Sequence, residues 1–133
     1  MAQIGITKIN DGARNAVFHV IIEGDGTGDL TDETLIDPAT SFSPAMPAAP
    51  SMTIEKLLYD FGSFTAKLEF DYLASDIPIW TIAGDQSNCF DFTSFGGLKD
   101  RSPVLDGSGK LMLSTSGLAA GEKGSLIVWV RKD

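Results

Sequence analysis

The chain has 133 residues, of which 43% are hydrophobic and 21% charged, and its formal net charge is −8. This length and composition predict a single folded domain over residues 1–133 and exclude an intrinsically disordered chain. The acidic excess argues against nucleic acid or an anionic membrane as partner, because both attract Lys and Arg. The single cysteine, Cys89, excludes an intramolecular disulfide.

The N-terminal residues show neither a basic patch nor a long apolar segment, so we expect no signal peptide. The longest apolar run, from Leu126 to Val130, is far too short for a membrane helix. Both features predict a chain that is made in the cytoplasm and not exported.

Turn-forming residues recur about every eight to twelve positions, the spacing of a β-sandwich or barrel. Thr65–Leu73 is the clearest strand, because Ala66, Leu68 and Phe70 alternate with polar residues. The other predicted strands are Ile4–Ile9, Asn15–Glu23, Glu33–Ile36, Pro78–Ile82, Asn88–Thr93, Lys110–Thr115 and Ser125–Arg131. The pattern predicts an all-β fold, an antiparallel β-sandwich, with a jelly roll as its candidate topology.

Two segments need separate treatment. Met52–Phe61 fits both a helical stripe and a strand alternation, and the Gly62-Ser63 break before the next strand favours a β-hairpin. Residues 41–50 (SFSPAMPAAP) carry three prolines, which predict an extended arm or loop. Phe42 and Met46 are the large apolar residues through which this arm is expected to make contacts.

Catalytic constellations are poorly supported by the sequence. His19 is the single histidine and alternates with Val17 and Ile21, which favours a structural role. Cys89 has no basic sequence neighbour to lower its thiol pKa, so we expect an inert, small apolar residue. Glu69 and Asp71 share a strand face and form a candidate carboxylate pair, but that face reads as ordinary solvated surface. We therefore expect no enzymatic activity.

A calcium site is the best chemical candidate. Within a short glycine-rich segment the sequence places four oxygen donors of the type that Ca²⁺ prefers, namely Asp25, Asp29, Asp32 and Glu33. Their spacing differs from that of an EF-hand, and a solvated acidic loop is the favoured alternative. No cofactor other than this candidate Ca²⁺ is expected.

The strongest functional signal concerns assembly. In Ser125–Arg131, Leu126, Val128 and Val130 mark one apolar face, while Ile127 and Trp129 make the other face apolar as well. A sandwich strand needs one buried face, so a second apolar face predicts a second cover. The arm at 41–50 and another protein chain are both open as that cover. Candidate interface residues are Trp129, Ile127, Trp80, Phe42 and Met46.

Several segments of the chain carry a resemblance to a known family. They are AVFHV at 16–20, LIDP at 35–38, LEFDYL at 68–73, PIW at 78–80, FDFTSFGGLKDRS at 90–102, LDGSGKLMLST at 105–115 and the terminal VRKD. Over about two-thirds of its length the chain resembles the small capsid decoration or cement proteins of tailed bacteriophages.

The resemblance implies a β-sandwich on the capsid surface of the virion that bridges major capsid protein subunits as a homo-oligomer. Because the terminal strand has two apolar faces, we expect this oligomer to be a trimer first and a dimer second. It implies no catalytic residues. A phage tail or baseplate component and a carbohydrate- or calcium-dependent binding module are the alternative functions.

Overall fold

The computed structural model describes residues 3–42, 51–72, 76–100 and 108–133. Its elements are almost all strands, joined by turns and one short 3₁₀ turn at Thr93–Phe95. The strands are β1 (Gln3–Asp11), β2 (Asn15–Glu23), β3 (Glu33–Ile36), β4 (Met52–Phe61), β5 (Thr65–Phe70), β6 (Ile77–Ile82), β7 (Ser87–Asp91), β8 (Leu98–Lys99), β9 (Leu111–Ser116) and β10 (Lys123–Lys132).

The strands form two antiparallel sheets, which confirms the predicted sandwich. One sheet has six strands in the order β1-β2-β10-β4-β7, with β8 also paired to β4, and the other has the order β3-β9-β5-β6. Across these sheets β2 pairs with β10, β3 with β9, β4 with β7 and β5 with β6. This nested pairing is what results when one long antiparallel ribbon is rolled into a barrel-like sandwich, so the topology is that of a jelly roll.

The core lies between the two sheets and follows the period-two pattern of the strands. In β10 every second residue from Gly124 to Lys132 is buried, and in β2 the buried residues are Ala16, Phe18, Val20 and Ile22. Gly124 faces inward, where a Cβ atom would lie 2.8 Å from the rings of both Phe61 and Phe64. A glycine at this position therefore lets the two aromatic rings approach the strand closely.

A buried lysine ties the C-terminus to the first hairpin. The side chain of Lys132 is fully buried, and its Nζ donates to the Asp11 carboxylate and to the Gly12 carbonyl oxygen. The same Nζ lies 5.1 Å from the centroid of the Phe42 ring. Removing one partner of such a buried pair lowers the unfolding free energy by several kcal/mol. The contact therefore holds the hairpin of β1 and β2 against the end of β10.

Most of the predicted strands are present, with shifted ends. Met52–Phe61 is a strand rather than a helix, because its neighbours β10 and β7 satisfy its backbone on both sides. The strand predicted as Asn88–Thr93 begins and ends earlier, since Phe92 and Thr93 enter the 3₁₀ turn. The two-residue strand β8 was not predicted. Most of the predicted arm, residues 43–50, and the predicted strand end Leu73 lie outside the described residues.

Candidate interaction face

The outward side of the six-stranded sheet, here called the outer face, consists of three rows of side chains that cross five strands. Strand register defines each row, because residues directly opposite on adjacent strands lie side by side. The Ser125 row contains Gly5, Ile21, Ser125, Asp60 and Ser87. The Ile127 row contains Thr7, His19, Ile127, Leu58 and Cys89. The Trp129 row contains Asn10, Val17, Trp129, Lys56 and Asp91.

The centre of the outer face is apolar and reaches solvent. Ile21 is 45% exposed and Leu58 is 40% exposed, while Val17, Ile127 and Trp129 are half-buried. Single exposed apolar residues are normal on a protein surface, but here Ile127 lies opposite Leu58 and Trp129 opposite Val17 in register, and Ile21, which lies opposite Ser125, is diagonal to Ile127. A contiguous apolar surface of this kind marks an interaction site.

A shallow groove runs across this centre. It has a volume of about 420 Å³, and its lining includes His19, Leu58, Cys89 and Ile127. His19 and Cys89 occupy the same row but stand three strand spacings apart, roughly 14 Å. They are therefore out of reach of each other, and the groove does not bring a Cys–His catalytic pair together. Cys89 is exposed, so it does not fill the small apolar role that the sequence predicted, and its inertness stays a prediction.

Polar contacts surround the apolar centre. Lys123 and Glu23 form an ion pair of 3.3 Å at one end of the face, and Ser87 donates to Asp60 at 2.6 Å beside it. At the other end, Lys56 Nζ lies 5.3 Å from the centroid of the Trp129 ring. An apolar centre within a polar rim is the usual anatomy of a protein–protein interface.

The other predicted interface residues are placed differently. Trp80 is half-buried, and its ring meets Phe90 and Phe92 edge-on at centroid distances of 5.1 and 5.0 Å. Phe42 is half-buried against Phe18, with ring centroids 6.3 Å apart. Both residues therefore fill edges of this chain's own core. Met46 lies outside the described residues.

The four acidic residues of the predicted calcium loop do not converge. Asp25 accepts hydrogen bonds from the backbone and hydroxyl of Thr27. Asp29 accepts from the Leu118 backbone N–H and the Thr115 hydroxyl, and the Leu118 hydrogen bond is the main reason why its pKa is lowered. Glu33 begins β3. These side chains stabilise the turn, which is what the solvated-loop interpretation predicts.

Asp32 instead joins two carboxylates that the sequence analysis did not connect to it. The oxygens of Asp32, Glu69 and Asp76 lie within 4.8 Å of one another on the outward side of the four-stranded sheet. Ser114 donates to both Asp32 and Glu69, and Lys67 lies 3.4 Å from Glu69. Desolvation, followed by the charges of Asp32 and Glu69, raises the pKa of Asp76.

Thr65 and Lys67 are exposed, as a solvated strand face predicts, but Glu69 is only 5% exposed, so that interpretation is wrong at Glu69. Period-two alternation correctly predicts that Glu69 points away from the core. The alternation within β5 does not reveal that Asp32 and Asp76 lie beside Glu69, because both residues belong to other segments of the chain.

Comparisons with known proteins add little. No protein-family model matches the sequence, and no curated protein matches it. Among solved structures, a cupin superfamily protein from Desulfitobacterium hafniense DCB-2 is 12% identical, with a TM-score of 0.34 over 95% of this chain and 76% of that chain. A likeness this weak carries no argument, and the jelly roll rests on the strand pairing alone. No helix in the described parts of the chain is long and apolar enough to span a membrane.

Proposed function

We propose that the chain is a non-catalytic structural protein of a tailed-phage virion that binds the capsid and bridges major capsid protein subunits. The observation that carries the proposal is the contiguous apolar outer face around Leu58, Ile127 and Ile21. Jelly rolls serve many functions, so the fold by itself selects none of them. The outer face supports the proposal that the protein takes part in an assembly, and the sequence resemblance supports the proposal that this assembly is a phage capsid.

In the proposed mechanism, each copy buries a modest surface on the capsid, and many copies bind together. One copy contributes a modest contact, and linked copies convert several modest contacts into avidity. A protein that binds the assembled shell better than free subunits stabilises the shell by mass action. The net charge of −8 favours a partner surface that is neutral or basic at the contact.

The proposal is tested by co-sedimentation with shells of the parent phage. Purified protein is mixed with assembled shells and, separately, with unassembled major capsid protein. We expect saturable binding to the shells and much weaker binding to free subunits. A lack of binding to shells at micromolar concentrations contradicts the proposal, and binding to isolated tails instead moves the protein to the tail or baseplate.

Two variants locate the binding surface. Ile127→Glu places a charge in the centre of the outer face, and we expect it to weaken shell binding about tenfold or more. Thr81→Glu is the matched control, because Thr81 is exposed on the four-stranded sheet, opposite Lys67 in the register. The control should bind as the wild type does. Equal loss in both variants would mean that charge, not the outer face, governs binding.

A further inference from the structure

We propose that the outer face binds a second copy of this chain, packed face to face about a two-fold axis along the Ile127 row. This inference rests on the proposed function, since it names the partner that the assembly surface takes. Two flat faces related by a two-fold axis form an isologous interface, in which each surface meets its own copy. The side chains of the three rows must therefore complement themselves, which can be examined position by position.

The proposed axis exchanges the two outer rows. It places the Ser125 row of one copy over the Trp129 row of the other, and it lays the Ile127 row on its own copy. At the centre, Leu58 meets the partner's Leu58 and Ile127 meets the partner's Ile127. The most exposed apolar residues of the face are then covered by apolar residues.

The charges complement each other about this axis. Lys56 and Asp60 occupy the two outer rows of β4 on either side of Leu58. Within one copy they are about 13 Å apart, too far to pair. The axis brings Lys56 over the partner's Asp60 and Asp60 over the partner's Lys56, so the contact occurs twice. In the single chain Lys56 lies over Trp129 and next to Asp91, and Asp60 accepts from Ser87.

Side-chain sizes complement each other about the same axis. On β10 the small Ser125 and the large Trp129 flank Ile127. The axis sets Trp129 over the partner's Ser125, so a large residue meets a small one. On β2 it sets Ile21 over the partner's Val17, which keeps apolar surface against apolar surface. Interdigitation of large and small residues is what permits close packing between sheets.

The alternative two-fold axis, along β10, fails both criteria. That axis keeps each row opposite itself and exchanges β2 with β4. Trp129 would collide with the partner's Trp129, and Ile21 would bury the carboxylate of the partner's Asp60. An unpaired buried charge and two opposed indoles are both costly. The pattern of the face therefore selects the axis along the Ile127 row.

The available area sets the strength of the contact. Strand spacing and rise give each outward residue about 33 Å² of sheet, so three rows across five strands offer about 500 Å² per copy. A total near 1,000 Å² reaches the lower bound of specific interfaces. We therefore expect a dimer that dissociates in the micromolar range, rather than the trimer that the doubly apolar terminal strand led us to expect first.

A charge exchange tests the proposed contact by sedimentation velocity over a concentration series. Lys56→Glu and Asp60→Lys should each weaken self-association at least tenfold, because each sets like charges against each other. The double variant Lys56→Glu with Asp60→Lys should recover most of the affinity. Lys110→Glu, at the residue that precedes β9 of the other sheet, changes the net charge as Lys56→Glu does and should leave self-association unchanged. No recovery in a double variant that melts normally would overturn the proposed axis.

Cys89 provides an independent test of the geometry. The proposed axis passes along its row and places it opposite the partner's Cys89, about 10 Å away at the usual separation of packed sheets. That separation excludes a direct disulfide, but a bis-maleimide with a span of about 10 Å should link the two cysteines. The axis along β10 would instead separate them by about 22 Å, from about 19 Å along the sheet and about 10 Å between the sheets. Efficient linking that Leu58→Glu abolishes supports the proposal, and linking no faster than random collision overturns it.

These results separate the inference from the proposed function. A monomeric protein that still binds shells through the outer face refutes the second copy and leaves the virion proposal standing. A dimer that binds no shells refutes the virion proposal and leaves the inference standing.

Discussion

The two outward surfaces of the sandwich contrast sharply. On the six-stranded sheet the centre is apolar, with Leu58 and Ile21 reaching solvent. On the four-stranded sheet most outward residues are polar or charged, with Met112 and Pro78 as apolar exceptions in register with Glu69, and Glu69 bonds to both Lys67 and Ser114. The second surface therefore pairs several of its own polar groups, whereas the first leaves apolar area in contact with water. This exposed apolar area is the basis of the proposal that the first surface meets a partner.

The contrast arises from single strands. In β5 the outward positions Thr65, Lys67 and Glu69 are polar, as expected for a sheet with one wet side. In β10 the outward positions Ile127 and Trp129 are as apolar as many inward ones. Burial alternates along all of β10 but along β5 only as far as Leu68, because Glu69 is buried as well. The main difference between the two strands lies in which side chains they present outward.

The largest loss of unfolding free energy should come from substitutions on the inward side of β10. Leu126 is fully buried, and Leu126→Ala should cost about 2–5 kcal/mol of unfolding free energy through lost burial and a cavity. Changing its outward neighbour Ile127 to Ala should lower the unfolding free energy by less than about 1 kcal/mol, because Ile127 is only half-buried in a single copy. Urea unfolding at low protein concentration measures both. Equal losses would mean that the outward side is also core.

Trp129→Ala should have an intermediate effect that depends on concentration. Trp129 is half-buried and covered on one side by Lys56, so most of its contribution should appear in association. We expect a loss of about 2–4 kcal/mol in self-association free energy, as for other aromatic anchors. The same loss in thermal stability of the monomer, without any change in sedimentation, would assign Trp129 to folding alone.

Changing Asp76, on the outward side of the four-stranded sheet, should have a smaller effect on the unfolding free energy, and this effect should depend on pH. Its pKa is raised, chiefly by desolvation, so the folded state binds more protons than the unfolded state between the ordinary and the raised pKa. Stability should therefore increase as pH falls through the raised pKa toward the ordinary value. Asp76→Asn keeps an acceptor for the Tyr72 N–H and should stabilise the fold near neutral pH by about 0.5 kcal/mol.

The matching measurement is the difference in unfolding free energy between wild type and Asp76→Asn as a function of pH. The advantage of the variant should shrink on acidification. An advantage that grows as pH falls would mean that the Asp76 carboxylate is stabilised by the fold.

The smallest expected effect is that of calcium. Lys67 and Ser114 already bond to Glu69, and we expect millimolar Ca²⁺ to shift the melting temperature by little. Asp76→Asn serves as the control. A rise of several degrees in the wild type that the variant lacks would show cation binding by Asp32, Glu69 and Asp76, and would favour the calcium-dependent binding module.

Alternation and turn chemistry were sufficient to predict most strands, because these signals are local. β2, β3 and β4 match their predicted bounds, since turn-forming residues flank each of these segments in the sequence. β8 has two residues and exists through its pairing with β4, a long-range contact that no local pattern reveals. The placement of Glu69 beside Asp32 and Asp76 depends on the packing of distant turns in the same way.

The candidate site was predictable in part for the same reason. Ile127 and Trp129 were identifiable because a doubly apolar strand is visible within a short window of sequence. Leu58 and Ile21 belong to the same surface through register with β10, which requires the sheet order. Trp80 was expected in an interface because tryptophan is common there, but its position against Phe90 follows from the meeting of two sheet edges.

The most direct test of the assembly surface is the rate at which a monofunctional maleimide alkylates Cys89, the single cysteine and a lining residue of the groove. The rate is compared for dilute protein, concentrated protein and protein bound to shells, with the rate of Leu58→Glu as reference. We predict that Cys89 is alkylated fast in dilute protein. Self-association or shell binding should slow the alkylation at least severalfold, and Leu58→Glu should not show this slowing. Alkylation at one rate under all three conditions would contradict this prediction, because the outer face would then stay open to solvent in every state.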